Sequence, residues 1–154
     1  MQHFNVTEAR FIREVSSSST AKAGRQAIHQ ILVPFTVAYF TGALATDLAY
    51  WRTAEVMWER FSVWLITAGL IMSGLAAIAA AIDLASGRHK PVWSRVVGYA
   101  IAVLLSLINV FVHSRDGYTA VVPTGLTLSG FVVVILLTMA STGWALTSPR
   151  RVGV

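Results

Sequence analysis

The 154 residues are 55% hydrophobic and 12% charged, with mean hydropathy +0.64. Soluble domains carry about 25% charged residues, so the composition excludes an ordinary soluble fold and points to a membrane protein. The chain has no cysteine, which excludes disulfides, iron–sulfur clusters, thiolate zinc sites and covalent c-type haem. The net charge of +5 and the pI near 10.2 are read as loop lysine and arginine facing anionic lipid, and nucleic acid is set aside as a partner.

The expected fold is an all-α integral membrane protein. A four-helix transmembrane bundle occupies 27–147, with a polar, amphipathic segment over 1–26 before it and a short tail over 148–154 after it. In the head, Phe4, Phe11, Ile12 and Val15 recur at helical spacing with Glu8, Arg10, Arg13 and Glu14 on the other faces. This reads as a short helix lying at the membrane surface. A flexible link, Ser16 to Thr20, follows. No apolar segment with a small-residue cleavage site precedes the first span, so that span is expected to act as its own uncleaved insertion signal.

Span 1, about residues 28–50, lies in the stretch His29 to Trp51 around which the chain is organised. A run of about 17 uncharged residues reaches Asp47, close to what a helix needs to cross a hydrocarbon core of roughly 30 Å. Pro34 sits in its first two turns and predicts a kink or a loosened turn there. Tyr39, Tyr50 and Trp51 suit interfacial or bundle-lining positions. Span 2, about 61–85, carries Gly69, Ser73, Ala77 and Ala80 three or four residues apart, a smooth face for close helix packing. It ends near Asp83 and Gly87, before the basic loop Arg88-His89-Lys90-Pro91.

Span 3, about 96–112, places Tyr99, Ser106, Asn109 and His113 on one face. Unpaired polar groups are costly in hydrocarbon, so this face is expected to point into the bundle. Span 4, about 121–146, has Pro123 in its first turn and a small patch at Gly125 and Ser129. The ends of spans 1 and 2 echo each other weakly as LATDLAYWR and AAIDLASGR.

Lysine and arginine fix the expected orientation. Arg10, Arg13, Lys22, Arg25, Arg88, Lys90, Arg95, Arg150 and Arg151 fall on one side, against Arg52, Arg60 and Arg115 on the other. The positive-inside rule then puts both termini in the cytoplasm.

Two layers of ionisable groups result. His29 and Asp83, with Tyr99 nearby, form a candidate ligand or proton site on the cytoplasmic side. Asp47, Asn109, His113 and Arg115, beside Asp116, form a candidate polar cluster on the opposite side. Antiparallel neighbours bring His29 and Asp83 to similar depth, where a carboxylate beside an imidazole can hold or relay a proton. The bland alternative in both layers is a hydrated or paired helix end. His29 and His113 are the only histidines on spans and sit near opposite faces, so they do not share one haem iron. One histidine with a second ligand, or a quinone on His29 or Tyr99, stays open. Phosphate loops, HExxH and GxSxG are missing, and no metal site or catalytic set is expected.

His29, Pro34-Phe35, Thr46-Asp47-Leu48, Trp58, Ala68-Gly69 and Asp83 resemble the bacterial four-span membrane proteins filed as domain of unknown function 2231 (DUF2231). The resemblance covers about residues 27–115 and implies an inner-membrane four-helix fold with no established activity. Relatives occur beside or fused to cytochrome c and quinoprotein dehydrogenase modules, which implies a membrane subunit in electron transfer. Many relatives carry a histidine near the start of span 3. This chain reads Val97-Gly98-Tyr99-Ala100 there, a departure that weakens any carry-over of haem b.

Three functions follow as expectations. The leading one is a non-catalytic membrane subunit or anchor that meets other membrane proteins or itself in the bilayer. The others are a haem- or quinone-binding redox module and a small ion- or proton-coupled transporter using Asp47, Asn109 and His113.

Overall fold

The computed structural model describes residues 28–87, 89–115 and 121–149. The amphipathic segment read over 1–26, Arg88, Asp116 and the Arg150-Arg151 tail lie outside the described residues.

Four helices form: α1 Ile28–Thr53, α2 Val56–Ala85, α3 Trp93–His113 and α4 Leu126–Thr142. Together with the turn before α4, they give four stretches long and apolar enough to cross a membrane, ending with Val122–Thr142. Hydrocarbon offers backbone N–H and C=O groups no partners, so an apolar run of this length satisfies them internally as a helix. The protein is an all-α membrane protein of four spanning helices.

Successive helices alternate in direction, because the start of α1 meets the end of α2 at His29 and Asp83. They close into a ring in which α1 packs on both α2 and α4, and α3 on both α2 and α4. One inward stripe on α2 reads Glu59, Ser62, Ile66, Gly69, Ser73, Ala76 and Ala80. Its alternating steps of three and four residues match the seam of helices crossing at shallow angles. Val33, Phe40, Ile66, Ala102, Val132 and Leu136 fill the centre.

The small-residue face is real at Gly69, Ser73 and Ala80, but the structure replaces one of its members. Ala76 is fully buried, whereas Ala77 faces outward. At 3.6 residues per turn, a step of four from Gly69 to Ser73 followed by three to Ala76 stays on the seam, whereas two successive steps of four, to Ala77, drift off it. Gly69 is where the approach is closest: a Cβ built there would lie 2.6 Å from Cε1 of Phe40. The missing side chain is what lets the Phe40 ring rest on the α2 backbone.

α1 runs through Pro34 as one helix. One stretch departs from the sequence reading. Span 4 is not helical from 121 to 146: Val121–Gly125 forms a wide turn in which Val122 is extended, because the residue before a proline avoids the helical region. α4 then stops at Thr142, where Gly143 takes φ +105°. The Arg95 guanidinium donates to the freed carbonyl oxygens of Thr142 and Ala145, the latter at 2.9 Å. Beyond this cap, β2 (Thr147–Pro149) pairs antiparallel with β1 (His89–Pro91), in the register His89 to Pro149 and Pro91 to Thr147. The basic loop between spans 2 and 3 is thus partly a strand.

Candidate functional site

Among the described residues, the bundle carries its buried histidines and carboxylates towards its two ends. At the end formed by the α1–α2 link, all four helices contribute. Asp47 of α1 is fully buried and accepts three hydrogen bonds. Ser62 of α2 donates to its Oδ1, Ser129 of α4 donates to its Oδ2 at 2.5 Å, and Nε2 of His113 of α3 lies 2.9 Å from Oδ1. Asn109 extends the set, its amide nitrogen donating to Ser129 Oγ at 2.8 Å. Gly125 makes room for the imidazole, since a Cβ there would sit 2.8 Å from His113 Cε1.

The protonation pattern of His113 follows from its partners. Nδ1 is 2.9 Å from the Asn109 carbonyl oxygen, which only accepts, so Nδ1 carries hydrogen. Nε2 faces a carboxylate oxygen, so a second proton is shared between Nε2 and Asp47. The pair is neutral overall whichever atom holds that proton.

The opposite end is built differently. His29 is fully buried, and its Nδ1 lies 2.9 Å from Asp83 Oδ2. The Leu146 backbone N–H donates to its Nε2 at 3.2 Å. Nε2 therefore carries a lone pair, and Nδ1–H donates to Asp83. Asp83 keeps 25% of its side chain exposed. Leu146 reaches His29 because the Arg95 cap and the β1–β2 ribbon bring the chain back over this end of the bundle.

Of the expected site residues, the structure joins His29 to Asp83, and Asp47 to both His113 and, through Ser129, Asn109. It does not join Tyr99 to the His29 pair: the Tyr99 hydroxyl lies 3.3 Å from Thr36 Oγ1, deeper in the bundle. Arg115 is exposed and stands apart from Asp47, at a cleft of 350 Å³ that it lines with Glu59, Arg60 and His113. The sequence reading missed Ser62, Glu59 and the Leu146 N–H. The first two lie on the α2 stripe that continues back from Gly69 through Ile66, so its periodicity would have found them. A backbone N–H carries no sequence signal.

The residues do not fit a bis-histidine haem. Both nitrogens of each span histidine are already engaged, and His113 is level with Asp47, eighteen residues along α1 from His29, roughly 27 Å at 1.5 Å per residue. Among the described residues no group of three or more histidine or carboxylate side chains is placed to hold a metal ion. Between the ends, the space around Phe40, Ala43, Ile66, Ser106 and Val132 has no room for a water molecule.

No curated protein and no solved structure matches the chain. The family model described as predicted membrane protein (DUF2231) matches residues 25–154, and the chain belongs to that family.

Proposed function

We propose that the protein is a non-catalytic membrane subunit or anchor that works in contact with other membrane proteins. The observation that carries this reading is how the bundle uses its buried histidines and their carboxylates. His29 is bonded to Asp83 and His113 to Asp47, and each pair ties helix to helix. Polar groups engaged in this way hold helices together, and what remains for partners is the outer surface. Large apolar side chains such as Trp64, Ile71, Ile78 and Ile82 dominate the outer side of α2. The site in the cell that fits this reading is a bacterial inner membrane with both termini cytoplasmic, supported by nine basic residues on one side against three on the other. The electron-transfer setting rests on the family resemblance alone, and the engaged histidines argue against haem within this chain.

The test is purification in several mild detergents. A stoichiometric co-purifying membrane protein is the expected result. A clean monomer or homodimer in every condition overturns the proposal.

A proton-coupled transporter is the second reading, favoured by one observation: His113 both lines the cleft and contacts Asp47. It requires pH-dependent flux in liposomes that Asp47→Asn abolishes, and unchanged flux removes it.

A further inference from the structure

Among the described residues, Glu59 is the buried carboxylate whose chemistry is left incomplete. It lies in the first turn of α2, where an acid ordinarily faces solvent and complements the helix dipole. Here it is 1% exposed, and among the described residues neither carboxylate oxygen has a hydrogen-bond partner. A buried carboxylate without a donor is costly, and such groups in folded proteins find a partner. Asp47 shows what this bundle does when it supplies donors itself: three of them converge on one carboxylate. Nothing on α1, α3 or α4 does the same for Glu59.

Glu59 also forms part of the wall of the 350 Å³ cleft, a volume within the range of small-ligand sites. Arg60 and Arg115 line the same cleft, and both are exposed. Among the described residues neither guanidinium forms a salt bridge. His113 completes the charged lining, but its bond to Asp47 leaves that pair neutral. Among the described residues the cleft therefore offers an acceptor without a hydrogen-bond donor and two cations without a salt-bridge partner. It opens beside the first turns of α2 and the last turn of α3, where Trp64 is 74% exposed.

We propose that this cleft binds a zwitterion carrying an N–H ammonium and an oxyanion. The ammonium donates to Glu59, which swings from the wall to meet it, and the oxyanion is held by Arg60 and Arg115. Guanidinium suits the oxyanion because its planar fork matches phosphate or carboxylate oxygens. A quaternary ammonium has no N–H and cannot satisfy Glu59. The same chemistry is available from an ethanolamine phospholipid headgroup or from a small soluble zwitterion.

The experiment uses the full chain in mild detergent and reads bound lipid by native mass spectrometry. Phosphatidylethanolamine, phosphatidylcholine and phosphatidylglycerol of identical acyl chains are titrated in turn. Phosphatidylethanolamine is expected to bind about tenfold more tightly than phosphatidylcholine, the scale of one charge-assisted hydrogen bond. Glu59→Gln should erase that preference while leaving the weaker binding common to all three lipids. Arg60→Gln with Arg115→Gln should weaken all three together. Equal binding of ethanolamine and choline lipids by the unaltered protein overturns the proposal, and so does a preference that survives Glu59→Gln. If Glu59→Gln fails to fold, the headgroup series on the unaltered protein decides alone. Soluble O-phosphoethanolamine distinguishes the sources: displacement of the lipid assigns the site to a free zwitterion, and retention assigns it to the headgroup.

Discussion

The two ends of the bundle each bury a histidine against an aspartate, yet they are built on different principles. At the Asp47 end one carboxylate is the common acceptor for side chains from the other three helices, and both partners of the ion pair are fully enclosed. At the His29 end the pair joins two helices only, the third contact is a backbone N–H from beyond α4, and Asp83 is partly open. Both aspartates stand in the same short sequence, Asp-Leu-Ala, at Asp47 and Asp83. Enclosure decides which matters more to stability. A buried group stripped of its partner finds no water to replace it, whereas a partly open one does.

That difference predicts unequal costs. Asp47→Ala leaves the Ser62, His113 and Ser129 donors facing an empty site and is expected to cost about 3–5 kcal/mol, the range for breaking a buried charged network. Asp83→Ala leaves His29 next to a site that solvent reaches, and about 1 kcal/mol is expected. Reversible unfolding in bicelles, read by steric trapping, measures both. An Asp83 cost equal to or above that of Asp47 breaks the comparison. The two imidazoles also give distinct nitrogen-15 spectra. His29 should show an unprotonated Nε2 and a protonated Nδ1, whereas at His113 Nδ1 is protonated and the Nε2 signal follows the proton shared with Asp47. Identical patterns at both rings would refute the bonding assigned here.

Gly69→Ala tests the middle of the bundle, between the two ends. The added methyl would meet the Phe40 ring at 2.6 Å, and the overpacking should cost about 1–3 kcal/mol. Phe40→Leu in the same chain should recover part of that loss, because the clash involves one side chain. Absence of any cost would mean that the ring moves freely and that Gly69 is not the point of closest approach.

Much of this architecture was readable from residue types and spacing. Apolar length fixed the number of spans, and antiparallel depth put His29 level with Asp83. The polar face of span 3, from Tyr99 to His113, is the face that the bundle buries. The failures share a cause. Leu146 meets His29 only because Gly143 turns the chain and Arg95 ties it down, contacts between residues about fifty apart that local pattern cannot register. The three-residue strand His-Lys-Pro has too few residues, and one proline too many, to signal a strand. Glu59 stands out by no sequence signal of its own, because it lies in a link with Arg52, Glu55 and Arg60, and charge balance there hides which member the helix turns inward.

The smallest predicted effect separates neighbours rather than ends. Ala76 is fully buried on the α2 seam, and Ala77 is exposed one residue later. Ala76→Leu forces three further carbons into a filled interface and should cost about 1–3 kcal/mol. Ala77→Leu adds the same group toward lipid, where leucine is as much at home as alanine, and should change stability by about 0.5 kcal/mol or less. The difference is sharp because the composition change is identical and only the angle around the helix differs. If Ala77→Leu leaves monomer stability intact but disrupts capture of a co-purifying membrane protein, the outward face of α2 is the surface that partner uses. If neither property changes, that surface lies on another helix.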